Sequence, residues 1–237
     1  MEPLRICYAL KLIGGGLWGS ARHTLEADIP TIVCRHASGL ELPCIPPTYM
    51  KGLLRRTLEE VVHKLVELGI VSSRDIVTKL FGPLTPMGEA AEALPSNTVI
   101  APLYPIKSAE DARRLANLEP LSYLRSSEHL AAPSTYREPH VRLDDRRHSA
   151  AAGALYHELR VVPHTLFYGE VLHYPQSESE ALDAARALLI SLSLLNYRYV
   201  GRTTPARIAV IRVEPAKIAE DQLVAHVMKL RSIDELG

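Results

Sequence analysis

Two stretches of this chain carry apolar residues at helical spacing, and each lies between segments that alternate as strands do. Met50, Leu53, Leu54, Leu58, Val61, Val62 and Leu65 recur every three or four residues, predicting a helix from an N-cap at Thr48 to about Leu68, stopped by Gly69. Leu182, Ala185, Leu188, Leu189, Leu192 and Leu195 predict a second helix over about 178–195, opened by a capping box of Ser177 and Glu180. Ahead of the first helix, Leu4, Ile6, Tyr8, Leu10 and Leu12 alternate as a half-buried strand. "NTVIAPLYPI" and "TLFYGEVLHY" read as strands between the helices, and "ARIAVIRVE" as a strand after them. The resulting order is βαββαβ. It predicts an α+β, ferredoxin-like core in which both helices cover one sheet face. The other face is left for a ligand or for inserted elements.

RNA-recognition modules share this layout. The rest of the chain fits around it as one domain, with a core of about 1–82 and 160–215 and an insertion of about 83–159. Within the insertion, residues 83–97 read as a Pro-, Ala- and Glu-rich surface linker. "SAEDARRLANLEPLSYL" reads as a helix capped by Ser108. The mixed polar and small residues from "AAPSTYREPH" to "LRVVP" have no helical face and read as a projecting hairpin. "SSRDIVTKLFG" suggests a short helix closing at Gly82, and the tail from about Ala219 another. A loop from Leu17 to about Pro47 is long for a connector, and loops of that length are often functional.

Lys+Arg and Asp+Glu balance at 27 each in 237 residues. A chain bathed in nucleic acid on all sides is therefore excluded, whereas a local basic groove is not. No apolar run approaches the roughly 18–20 residues of a membrane span, and no signal-peptide block opens the chain, so a cytoplasmic protein is expected. Cys7, Cys34 and Cys44 are odd in number and lack CxxC spacing, which predicts buried or spare thiols rather than a disulfide framework or a zinc site. The histidines form no HxH or HExxH pattern.

Local chemistry concentrates in three places. The first two turns of the helix from Thr48 carry Lys51, Arg55 and Arg56 and no acid. A helix N-terminus already favours negative charge, so these cations either face solvent or await an anion. Gly14, Gly15 and Gly16 close the first strand; with Gly19 they supply the glycines of GxGxxG, but no helix follows for about thirty residues, so a dinucleotide site is not expected. From Asn196 to Val213 there are four arginines, Arg198, Arg202, Arg207 and Arg212, with Tyr197 and Tyr199 among them and no acid, a composition suited to single-stranded RNA. Asp28, followed by Ile29 and Pro30, reads by itself as a turn former.

Five blocks in order resemble the RAMP superfamily of CRISPR systems, and more narrowly the multi-copy backbone subunits of type III effector complexes. They are Gly14–Gly16, Ala27-Asp28-Ile29-Pro30, Ile45 to Gly52, Leu80-Phe81-Gly82, and "RLDDRRHSAAAGALYHELRVVP". The resemblance implies guide RNA and target RNA as partners, together with other effector subunits and copies of the chain stacked head to tail. It implies RNA contacts by Gly14, Gly15, Gly16, Lys51 and Arg55. Arg142, Arg146 and Arg147 would act on a thumb-like hairpin that kinks the duplex, and Arg202 and Arg207 on a late loop. Asp28 becomes the candidate catalytic residue for attack of a 2′-hydroxyl on the adjacent phosphate, aided by a divalent metal ion such as magnesium or manganese. Glu26, His23 and His36 are nearby candidates without a motif.

The chain also departs from the pattern. Pro47 replaces a glycine, and the late glycine-rich element survives only as "YVGRTTPARI". Other readings stay open: an RNA-binding subunit in which Asp28 is only structural, a guide-processing endoribonuclease, and a small-molecule enzyme using the glycines for phosphate.

Overall fold

The protein is described here from a computed structural model covering residues 2–19, 28–83, 96–144, 149–201 and 203–236. In chain order the strands are β1 (Leu4–Leu12), β2 (Ile29–Pro30), β3 (Val33–Arg35), β4 (Glu41–Pro43), β5 (Thr98–Ile100), β6 (Tyr104–Ile106), β7 (Thr135–Asp144), β8 (Ser149–Val161), β9 (Leu166–His173) and β10 (Ala206–Glu214). The helices are α1 (Pro47–Glu67), α2 (Ile76–Phe81), α3 (Ala109–Ala116), α4 (Glu178–Leu194), α5 (Ala216–Ala219) and α6 (Gln222–Lys229).

The main sheet runs β10-β1-β9-β5, with β6 also paired to β9, and every pairing in it is antiparallel. β5 and β6 come from the stretch between 83 and 159 yet join this sheet. The fold is thus mixed α+β, and the stretch read as one long loop before α1 carries the short strands β2, β3 and β4.

α1 and α4 lie on one face. Leu4, Ile6, Tyr8, Leu10 and Leu12 of β1 meet Met50, Leu54 and Leu58 of α1 and Leu188 and Leu192 of α4 in one apolar core. The second face is covered as well. Cys7 and Ala9, the alternate residues of β1, pack with Tyr168, Tyr104, Tyr123, Leu115 and Leu42 in a second core. β1 is therefore buried on both faces rather than half-buried, because α3 and the loops around it close over the sheet. Among the described residues the second face is a packed layer rather than an open platform.

Arg5 points into that second layer and is 3% exposed. Its guanidinium donates to both carboxylate oxygens of Glu170, at 3.0 and 2.8 Å, and to the carbonyl of Leu118 at 2.9 Å, just past the end of α3. Glu170 also accepts from the Tyr168 hydroxyl and from the N–H of Leu121, which adopts a left-handed φ of 60°. Burial is the largest single influence and works against the Arg5 charge, but the hydrogen bond to Glu170 and the electrostatic attraction of Glu170, Cys7 and Tyr168 together outweigh it and hold the guanidinium above its ordinary range. Burial, with Glu170 nearby, pushes the Cys7 thiol up to about 12.

Local rules account for most helix ends. Ser177 accepts from the N–H of Glu180 at 3.1 Å, while Glu180 reaches back to the N–H of Gln176, one residue before the expected partner. Ser108 accepts from Asp111 N–H, and Gly69 and Gly82 end α1 and α2 with positive φ. The start of α1 differs from expectation. Its N-cap is Pro46, with Pro47 in the first turn, and Thr48 lies inside the helix. Proline at the first helical position has no N–H to satisfy and its φ is already helical, so a side-chain cap is dispensable.

The cysteines also depart from expectation. Cys34 and Cys44 form a disulfide, with Cα atoms 5.7 Å apart, and only Cys7 is free. The β3–β4 pairing, with Cys34 opposite Leu42, folds the intervening chain back on itself and brings the two residues together. Among the described residues, no helix is long and apolar enough to cross a membrane.

Candidate nucleic-acid interface

The glycine turn after β1 is the centre of the site. The N–H of Gly16 donates to the carbonyl of Val161 at 2.9 Å, and the N–H of Val161 returns a bond at 2.8 Å, tying the turn to the root of β8. Thr204 Oγ1 donates to the carbonyl of Gly15, and the N–H of Leu17 donates to the same Thr204 oxygen. These bonds draw together the glycine turn, the hairpin root and the late 200–205 segment. A side chain at Gly15 would run into Tyr136, and a Cβ at Gly16 would lie 2.8 Å from the Trp18 ring. Gly16 is thus constrained by packing against Leu12 and Trp18, whereas at Gly15 the obstacle is the end of the Tyr136 side chain. The N–H groups of Gly14 and Gly15 make no hydrogen bond among the described residues.

The start of α1 faces the same region. A cleft of about 500 Å³ is lined by Trp18 and Gly19 from the segment after the glycines, and by Ile32, Pro46, Thr48 and Tyr49. Lys51 opens the second turn of α1, half-buried, and pairs with no acid among the described residues. Burial and then the neighbouring Arg55 charge lower its pKa from the ordinary lysine value, so an anion here would relieve a real electrostatic cost. If this region takes a nucleic-acid backbone, Lys51→Ala should weaken RNA binding equally for unrelated sequences and make the log–log salt dependence shallower by about 1. Sequence-selective loss in a filter-binding series would contradict that role.

Other expected contacts are already engaged. Arg55 pairs with Glu59 at 2.8 Å, one turn along the helix. In the late segment Arg198 pairs with Glu60 and Arg212 with Glu214. The absence of acids in that stretch thus did not mean absence of acid partners, which come from α1 and from the end of β10. Arg207 is exposed and donates to the carbonyl of Asn196. His36 is buried, with its ring between Ser38 Oγ and the carbonyl of Tyr123, and serves packing. Arg146, Arg147, Arg202, His23 and Glu26 lie outside the described residues, and Arg142 is placed only as a residue of β7.

Asp28 is exposed and stands against the hairpin. Its N–H donates to the carbonyl of His157 at 3.0 Å, and its carboxylate accepts from the N–H of His157 at 2.8 Å. β2 then runs parallel to β8, with Ile29 opposite Glu158. The loop that carries Asp28 is therefore pinned to the root of the β7–β8 hairpin.

The hairpin itself brings together residues that no motif had singled out. Glu138 lies opposite Glu158, and Tyr136 opposite Arg160. Ligand atoms of Glu138, His140 and Glu158 lie within 4.8 Å of one another, a group able to hold a metal ion. Arg160 contacts both carboxylates and the carbonyl of Gly15. Alternation in "REPH" and "YHELR" hints that each set shares a strand face, but only the register aligns the two.

The molecule is an α+β protein with a projecting hairpin, rooted where a glycine turn and an acid-free helix start converge. Residues 13–205 match the profile of the RAMP superfamily. The chain belongs to the RAMP superfamily. Its fold is similar to that of a chain in the cryo-EM structure of the type III-B Cmr-beta bound to cognate target RNA, with a TM-score of 0.51 and 17% identity over 86% of this chain and 96% of that one. A chain in the apo Cmr-beta structure is similar at a TM-score of 0.50 and 16% identity, over the same shares. No curated protein sequence matches.

Proposed function

We propose that the chain is a backbone subunit of a type III CRISPR effector ribonucleoprotein. On this reading it binds guide RNA, stacks head to tail with copies or relatives of itself, and cuts the paired target RNA beside Asp28. The observation that carries the reading is the pinning of the exposed Asp28 to the root of the projecting hairpin. A duplex kinked by the hairpin would present its distorted step there. Superfamily membership and the fold shared with Cmr-beta chains support it. The antiparallel order β10-β1-β9-β5 with α1 and α4 on one face supports a ferredoxin-like core.

Lys51 and the unbonded N–H groups of Gly14 and Gly15 are the proposed phosphate contacts, and the arginines of the hairpin and late loop add charge. Asp28 would orient the 2′-hydroxyl or help hold a divalent ion, which lowers the cost of charge on the phosphate. In the assembled complex, target carrying 2′-deoxy sugars at the cut steps should resist cleavage, and normal target should yield 2′,3′-cyclic phosphate ends. Cleavage of the deoxy target would overturn the mechanism.

One observation favours a second reading. The carboxylate of Asp28 already accepts from His157 N–H, which is what a purely structural residue would do in a non-catalytic RNA-binding subunit.

A further inference from the structure

We propose that Glu138, His140 and Glu158 form a structural site for a first-row transition-metal ion of the zinc class, which binds by displacing Arg160 from the two carboxylates. This goes beyond the proposed cleavage reaction and does not depend on it, since Asp28 meets β8 through the backbone of His157 and is not one of the three ligands.

The distances fit an ion. His140 Nε2 lies 3.1 Å from Glu158 Oε2 and 3.4 Å from Glu138 Oε2. Ligands held about 2.1 Å from a metal are separated by about 3.0 Å in an octahedral shell and about 3.4 Å in a tetrahedral one. His140 Nε2 and Glu138 Oε2 are buried atoms with no hydrogen bond of acceptable geometry. Glu138 Oε2 has ion contacts to Arg160 Nε at 2.6 Å and to His140 Nε2 at 3.4 Å, neither aligned as a hydrogen bond. Tyr156 stacks on the His140 ring, with centroids 5.4 Å apart and planes 22° apart, and so fixes its direction. Glu158, at 1% exposure, supplies a carboxylate that cannot be left to water.

Charge balance points the same way. Among the described groups, the carboxylates of Glu138 and Glu158 both face the single guanidinium of Arg160, a crowding of acids that is costly at a half-buried hairpin root. A divalent ion neutralises both carboxylates. Arg160 has somewhere to go, because its guanidinium already reaches Gly15 O at 3.4 Å and Thr203 Oγ1 at 3.3 Å. The ion would thereby turn the arginine toward the glycine turn and the late loop. One imidazole and two carboxylates suit zinc, cobalt or manganese better than magnesium, which prefers oxygen alone.

The test is titration of the chelator-treated full chain with Co²⁺, read by visible d–d absorption, followed by displacement with Zn²⁺. One equivalent should bind, without a sulfur charge-transfer band. His140→Phe and Glu138→Gln should each weaken binding at least about tenfold while leaving the circular dichroism spectrum unchanged. Arg160→Gln should bind at least as tightly as wild type, because a competing cation is gone. Asp28→Ala should bind Co²⁺ normally even where target cleavage is lost, which separates this site from the cleavage reading. Absence of a stoichiometric cobalt spectrum, or binding unaltered by both ligand variants, overturns the site. Weaker binding in Arg160→Gln overturns the displacement.

Discussion

Asp28→Ala should lower target-RNA cleavage in the assembled complex by at least about a hundredfold, the lower range for losing one catalytic group. Guide RNA binding should persist, because the proposed phosphate contacts come from Lys51, the glycine turn and the arginines. The stability cost should be small, about 1 kcal/mol or less, since the exposed carboxylate loses one hydrogen bond, from His157 N–H. Asp28→Asn separates the two roles. It keeps an oxygen able to accept from His157 N–H and removes the charge. A catalytic Asp28 predicts that Asn is as inactive as Ala. A structural Asp28 predicts that Asn cuts at the wild-type rate, and that result would make the non-catalytic subunit the better reading. Single-turnover cleavage with end-labelled target measures both.

Arg5→Ala should cost about 3–5 kcal/mol, the range for leaving one member of a buried ion pair without its partner. Four elements depend on this side chain. It joins β1 to Glu170 on β9 and to Glu214 on β10, and it caps the carbonyl end of α3 at Ala116 and Leu118. Removing it strands the Glu170 carboxylate in an apolar layer and frees the left-handed turn at Leu121. For a chain of this size the melting temperature should fall by roughly 10 °C, and amide exchange should accelerate first in α3. The double variant Arg5→Met with Glu170→Leu should be much less destabilised than the sum of the single changes, because no charge is left uncompensated. Additive losses in a double-mutant cycle would mean that the two side chains do not act as a pair.

Where local physical chemistry sufficed, the sequence was readable. The period of Leu54, Leu58, Val62 and Leu65 produced α1, Ser177 capped α4, and Gly69 and Gly82 ended their helices at positive φ, which glycine adopts without strain. "ARIAVIRVE" became β10 from its first residue to its last. Each of these outcomes depends on residues within a few positions of one another. The acid-free start of α1 was equally visible, because charge within one helical turn is a property of adjacent sequence.

Long-range pairing was not readable in the same way. Alternation placed Leu4 to Leu12 on a strand but could not show that a second layer would close over Cys7 and Ala9, nor that Arg5 would find Glu170 from 165 residues away. The late arginines looked unpaired because their acids lie elsewhere: Glu60, the partner of Arg198, is on α1. The disulfide between Cys34 and Cys44 needed the β3–β4 register, and the Glu138, His140 and Glu158 group needed the register of β7 on β8. A shift of one residue in that pairing would turn one set to the opposite face and dissolve the group. The sequence by itself determined the long helices, the long strands around them and the chemistry each carries, since these follow from contacts over a few residues. The short strands β2, β3 and β4 inside the stretch read as a loop, and the split of "NTVIAPLYPI" into β5 and β6, depend instead on the strands they pair with. Only the tertiary structure decided which charges are paired, which sheet face is covered and which acids stand together, because those depend on register and on strands that meet across the whole length of the chain.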